Sequence, residues 1–222
     1  MPPRLFTLGQ LSLAGSDFRR EKPLLLLAYL CVQGPQVRRN VARLFWPGAA
    51  DPMNSLSVAV AQLRRAAPDL IEASETQVLT RLTDDAAAFR SALQRAELEV
   101  AGALYRGPFL ATLTLGDLSE ELEEWIMTTR EGLADAYRSA LLTAARGSAE
   151  AQAAAELSAR AFRVIGTTPP LPEQLREGYR WLSAAQHPDA ERVRQEAQEL
   201  GLKLAAPNPP RPCWAGNANW RG

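Results

Sequence analysis

Side chains able to do covalent chemistry occur in this sequence, but they do not combine. His187 is the only histidine, so no second imidazole can join it in a metal site or proton relay, and it precedes Pro188 in a turn. Cys31 and Cys213 are the two cysteines; they offer neither a zinc spacing nor a disulfide framework. Cys31 lies in the apolar run 24–32 and reads as a buried, inert thiol. Asp84-Asp85 reads as a helix start rather than a carboxylate dyad. The acidic run Glu120, Glu121, Glu123 and Glu124 most simply exploits the positive N-terminal end of its helix, a partner-binding face being the alternative. With no nucleophile–base pair, metal cluster or phosphate-cradling loop, the sequence predicts no enzyme, no metal and no cofactor. What remains is one helical face. Asn54, Val58, Ala61 and Arg65, with Gln62 nearby, lie opposite a stripe of Leu56, Val60, Leu63 and Ala67.

The distribution of charge points to the same part of the chain. The formal net charge is zero, yet residues 1–82 carry ten Lys/Arg against six Asp/Glu, and residues 83–222 fifteen against nineteen. A basic first part and an acidic second part suggest two units with different partners, the first suited to polyanions. Hydrophobic residues make up 46% of the chain, which supplies a core and argues against global disorder. No apolar run reaches about 18 residues and no signal pattern opens the chain, so neither membrane spanning nor export is expected. With the sparse cysteines, that predicts a cytoplasmic protein.

The elements that must position this face follow from local signals. Residues 5–13 read as a short strand or hairpin, turning at Ala14-Gly15-Ser16-Asp17. A helix runs from Pro23 to about 32, stopped by Gly34-Pro35. A second spans 37–45 and ends at Pro47-Gly48. Asp51 looks like an N-cap with Pro52 at the first helical position of a third, 52–67. Two β-prone segments, 70–73 and 77–82, turn at Ser74-Glu75-Thr76. Strand, three helices and hairpin make a winged helix-turn-helix layout. From Asp84 onward the pattern is helical, with segments at 85–98, 119–145, 149–164, 172–185 and 188–200. In the long one, Asp117 with Glu120, or Ser119 alone, caps a stripe of Leu122, Trp125, Ile126, Leu133, Tyr137 and Leu141. Trp125, Tyr137 and Trp181 read as core. Short turns between these helices predict antiparallel pairs in a small helical-repeat stack. Residues 205–222, rich in Pro, Gly and Asn, read as a disordered tail that folding does not need.

Five strings in order carry a resemblance. They are Leu25-Leu26-Leu27-Ala28-Tyr29-Leu30; Val41-Ala42-Arg43-Leu44-Phe45-Trp46-Pro47-Gly48; and Asn54-Ser55-Leu56 through Gln62-Leu63-Arg64-Arg65. Leu104-Tyr105-Arg106-Gly107-Pro108-Phe109-Leu110 and Glu121-Leu122-Glu123-Glu124-Trp125 through Arg130-Glu131 follow. Over about residues 4–200 the chain resembles the antibiotic-regulatory-protein-like bacterial transcriptional activators. These join a response-regulator-type winged helix to a bacterial transcriptional activation domain. Some relatives continue into a nucleotide-binding ATPase, for which this chain has no GxxxxGK[ST] element.

The resemblance implies a mainly α protein: a winged helix DNA-binding domain at 1–82, an all-α, TPR-like domain at 83–204, and the tail. It implies that helix 52–67 enters the major groove of double-stranded DNA, with the hairpin as a wing on backbone or minor groove. Base-contact candidates are then Asn54, Ser57, Val58, Ala61, Gln62 and Arg65. Asn54 and Gln62 suit adenine, Arg65 suits guanine or a phosphate, and Val58 and Ala61 suit the thymine methyl. Phosphate-contact candidates are Arg19, Arg20, Lys22, Arg38, Arg39, Arg43 and Arg64, which position without specifying. The helical domain would meet RNA polymerase, another regulator or a second copy of the chain.

Local alternatives stand beside these roles. Arg64 and Arg65 suit a solvated helix end, and Asn54 and Ser55 suit helix-start capping. The chain also departs from its relatives, which carry a basic or long polar residue at Ser57, an arginine at Gln62 and more residues before Asn54. Its hairpin bears Glu72 and Glu75. A second function therefore stays open: an interaction protein that keeps a degenerate winged helix as a scaffold and does not bind DNA.

Overall fold

The computed structural model describes residues 3–113 and 118–204; the expected tail at 205–222 and the Asp117 cap lie outside them. The protein is mainly helical with two small sheets. It divides into two compact units, one built from residues up to Leu141 plus Arg163–Pro169, the other from Leu142–Phe162 plus residues from Pro170 onward.

In the first unit, β1 (Arg4–Phe6) pairs antiparallel with β2 (Ser12–Leu13). The apolar run enters α1 (Glu21–Gln33), with Pro23 in its first turn and Gly34 ending it at φ +71, a conformation glycine adopts without a Cβ penalty. Leu24 to Ala28 and Leu30 are buried. α2 (Arg38–Phe45) buries Val41, Ala42 and Phe45. Asp51 caps α3 (Pro52–Ala66): its carboxylate accepts from the Asn54 amide at 2.9 Å, with Pro52 at the first position. Leu56, Ala59, Val60 and Leu63 bury the inner side of α3 against α1 and α2. A 3-10 turn at Pro68–Leu70 leads to β4 (Glu72–Ala73) and β5 (Gln77–Leu79), which form an antiparallel sheet with β3 (Gln36–Val37) in the order β3-β5-β4.

Three local features differ from expectation. β3 takes Val37, which was expected to begin the second helix. β6 (Thr83–Asp84) pairs in parallel with β1, where the sequence indicated only a helix start. The single helix expected over 85–98 is two, α4 (Asp85–Gln94) and α5 (Leu98–Leu104). The break falls at Ala96, whose φ is +56. A left-handed alanine costs about 1–2 kcal/mol, and Arg95-Ala96-Glu97 contains no glycine or proline to announce it.

The boundary expected at 82/83 falls inside the first unit, because strong contacts cross it. Asp84 caps α4 by accepting from the Ala87 amide at 2.7 Å. The fully buried Asp85 carboxylate accepts from the Thr7 amide and hydroxyl, both at 2.7 Å, and from the Leu8 amide at 3.2 Å. The 104–110 segment folds onto the same N-terminal stretch. Gly9 donates to the Pro108 carbonyl at 3.0 Å, Leu110 to that of Thr7 at 2.7 Å, and a Cβ on Gly107 would lie 3.2 Å from Gly9 Cα. α6 (Glu120–Gly147), with the Ser119 hydroxyl accepting from the Leu122 amide, contributes Arg130. Its guanidinium donates to the Phe109 and Leu110 carbonyls at 2.8 and 2.9 Å. Trp125 packs edge-on against Tyr29 and Phe109. Asp135 and Arg138 hold Thr168, and Tyr105 donates to the Ile165 carbonyl at 2.8 Å, which ties Arg163–Pro169 to this unit.

Cys31, expected to be buried and inert, is only half-buried. Its Sγ points at the Leu82 carbonyl, 3.6 Å away. Burial, then the Asp84 charge, pushes its pKa up to about 12. Only the thiolate is nucleophilic. In a Cys213→Ser variant at pH 8, the folded protein should therefore leave Ellman's reagent nearly unreacted, and denaturant should release one equivalent. Fast labelling of the folded variant would show that α1 opens.

In the second unit, α7 (Ala151–Ala161), α8 (Pro172–Ala184) and α9 (Asp189–Glu199) pack as consecutive neighbours. Ala155, Ala159, Leu175, Tyr179, Leu182, Val193 and Ala197 form the core, with Phe162 against it. Gly178 faces the Phe162 ring so closely that a Cβ there would collide with it. His187 takes structural work: Nδ1 accepts from the Asp189 amide at 3.1 Å, and Nε2 lies 3.4 Å from Glu156.

Candidate functional site

The outer side of α3 is where the sequence-derived candidates converge. With Leu56, Val60 and Leu63 inward, Asn54, Ser57, Val58, Ala61 and Arg65 are exposed and Gln62 is half-buried. Val58 is 48% exposed. The capping alternative for Asn54 is resolved geometrically. Asp51 supplies the cap and Asn54 receives it through its backbone amide, so the side-chain amide is not used for capping. Ser55 donates its hydroxyl to the Asp51 carbonyl at 3.2 Å.

An open groove runs between this face and the start of α1. Arg20, Lys22 and Trp46 line one side, and Asn54, Val58 and Gln62 the other. Lys22 Nζ lies 5.9 Å from the Trp46 ring, within reach of a weak cation–π attraction. Base-contact and phosphate-contact candidates therefore share one concavity, although Glu21 also lines it and offsets part of its positive charge. Arg39 and Arg43 are exposed on α2.

Three other candidate cations bond to the protein's own carbonyls, Arg19 and Arg64 while exposed and Arg38 while half-buried. Arg19 donates to the Ser16 and Phe18 carbonyls at 2.7 and 3.1 Å. Arg38 donates to the Ser74 carbonyl at 2.7 Å and the Ser57 hydroxyl at 3.0 Å. Arg64 reaches the Ile71 and Ala73 carbonyls at 3.5 and 3.3 Å. Sequence reasoning also missed Arg81, which pairs with Glu72 and neutralises one of the two hairpin acids. A charge of the right sign a few residues beyond the second strand was the available signal.

Among the described residues, no group of three His, Cys, Asp or Glu is placed to hold a metal. No helix there is long and apolar enough to cross a membrane. Burial raises the Asp84 pKa above the ordinary carboxylate value. That carboxyl faces the α4 start rather than a cleft, so its shift belongs to the fold.

Comparison with known proteins finds a fold relative. No family model matches the chain, and no curated protein matches it. The structure of Mycobacterium tuberculosis EmbR, solved in complex with a low-affinity phosphopeptide, is similar at a TM-score of 0.61 and 19% identity. The likeness covers 91% of this chain and 62% of that one, so this chain spans less than two thirds of the length of the structure it matches. At that identity the two share a fold.

Proposed function

We propose that this protein is a DNA-binding transcriptional regulator, an activator by its family resemblance. In this reading residues 1–82 act as a winged helix, α3 lies in the major groove and the β4–β5 hairpin is the wing. Residues 83–204 form a TPR-like surface for RNA polymerase, another regulator or a second copy of the chain. The carrying observation is the outward row of α3. Its polar and methyl groups are exposed, unused by capping, and bordered across a groove by the cationic start of α1. An α-helix fits a groove about 12 Å wide, and amide, guanidinium and methyl groups are those that read base edges. The fold shared with EmbR over most of the chain supports this reading.

Fluorescence anisotropy on duplex DNA over a salt series tests it. If about three to five of Arg20, Lys22, Arg39, Arg43 and Arg65 reach phosphates, log K should fall against log salt with a slope of roughly −3 to −4.5. Absence of salt-sensitive binding favours the second reading, a scaffold that contacts only proteins. The guanidiniums of Arg38 and Arg64 favour that alternative, because carbonyls of the hairpin segment already occupy them.

A further inference from the structure

We propose that Arg38 and Arg64 form a clamp that fixes the β4–β5 hairpin to α3, so that Arg38 is a positioning residue and not a phosphate contact. Its consequence for affinity rests on the DNA-binding reading above; the clamp itself does not.

The hairpin is poorly equipped to hold its own position. Its strands are two and three residues long, and so short a ribbon is marginal in water without outside contacts. Within the turn, the Ser74 hydroxyl accepts from the Gln77 amide at 3.0 Å and the Ser74 amide donates to the Gln77 carbonyl at 2.9 Å. Those bonds shape the turn but do not aim it. Pairing of β5 with β3 anchors one edge, and two arginines, one on α2 and one on α3, tie the hairpin to α3. Arg38 meets the turn at its Ser74 carbonyl and α3 at Ser57, whose hydroxyl in turn donates to Met53. The Arg38 amide adds a bond to the Thr76 carbonyl at 2.9 Å. Arg64, near the other end of α3, reaches the carbonyls of Ile71 and Ala73 on the β4 side. The planar guanidinium fork spans two acceptors at once, which an ammonium on a flexible stem does not reproduce.

Arg38 is also committed to this place. Its Nε is buried without a hydrogen-bond partner, a cost accepted because both terminal nitrogens are satisfied. Swinging out to a phosphate would break the Ser74 and Ser57 bonds together and leave the turn held only through its backbone pairing.

Arg38→Ala and Arg38→Lys separate the roles. The measurements are duplex affinity over a salt series, taken well below the melting temperature, and amide hydrogen exchange across 72–79. For a clamp, both variants should lose about tenfold in affinity, the order expected when two hydrogen bonds go. The salt slope should stay at the wild-type value. Exchange in the hairpin should rise while α1 is unchanged. A phosphate contact gives the opposite pattern: Lys rescues binding, Ala lowers the slope by about one, and hairpin exchange does not move. That pattern overturns the proposal. A residue that matters only for stability would lower the melting temperature and leave affinity and slope alone, which overturns it too. If wild type does not bind DNA, the DNA reading fails and exchange alone decides: faster hairpin exchange upholds the clamp and unchanged exchange removes it. Should Arg38→Ala fail to fold, Ser57→Ala is read by hairpin exchange across 72–79, which must rise for the clamp to stand, since one acceptor of the guanidinium is gone.

Discussion

Replacing Asp85 with Ala should destabilise the protein by about 3–5 kcal/mol, the range for removing one member of a buried, charge-assisted network. The Asp85 side chain is fully buried and accepts from three donors at the N-terminal stretch: the Thr7 amide, the Thr7 hydroxyl and the Leu8 amide. Truncation strands all three in a site that water does not reach, and each unmet donor costs about 1–3 kcal/mol. The Arg106 guanidinium, 3.7 Å from the carboxylate, is half exposed, so its loss adds little beside the orphaned amides. Urea unfolding followed by far-UV circular dichroism checks this, and Asp85→Asn, which keeps an acceptor oxygen, should fall between Ala and wild type. A loss under about 1 kcal/mol for Ala would mean that water satisfies the three donors and that Asp85 does not tie the chain start to α4.

The same contact explains what the sequence concealed about organisation. Asp84-Asp85 was legible as a helix start, since a short acid before a helical pattern caps it. That its second carboxylate would instead bind amides some eighty residues earlier has no local signature. Nor does the parallel pairing of β1 with β6, or the fold of 104–110 onto Gly9. A boundary after residue 82 followed from where strand patterns gave way to helical ones. Contacts, not periodicity, decide where a compact unit ends.

The outward face of α3 was legible because its signals are local. Asp51-Pro52 fixes where α3 begins, the Leu56, Val60 and Leu63 spacing fixes which side is inward, and the outward residues follow by exclusion. The direction of a guanidinium was not legible. Sequence gives Arg38 and Arg64 a charge, but whether that charge meets phosphate or a carbonyl depends on where the hairpin returns. For Arg38 the accepting carbonyl is 36 residues downstream. Arg64 and Arg65 are both exposed, yet Arg64 reaches the Ile71 and Ala73 carbonyls while Arg65 projects about 100° further round the helix. Adjacent arginines of identical chemistry thus receive different work from helical geometry alone.

Asn54→Ala should weaken binding to a specific duplex by about 1–3 kcal/mol and relax preference at one base pair. Its side-chain amide faces the groove shared with Arg20 and Lys22 and carries none of the capping. Folding should therefore change by no more than about 0.5–1 kcal/mol, as for other exposed positions. A scrambled duplex should be bound almost as before, since a base contact contributes nothing where the base is wrong. Arg65→Ala provides the contrast. If its guanidinium reaches only phosphate, specific and scrambled duplexes weaken alike and the salt slope falls by about one. If it reads guanine, specific binding falls further than scrambled binding. Anisotropy titrations of both variants on both duplexes, repeated across salt, separate these outcomes. Wild-type affinity and slope in both variants would leave only the middle of α3, at Ser57, Val58, Ala61 and Gln62, to meet the groove, and would count against the helix lying in it.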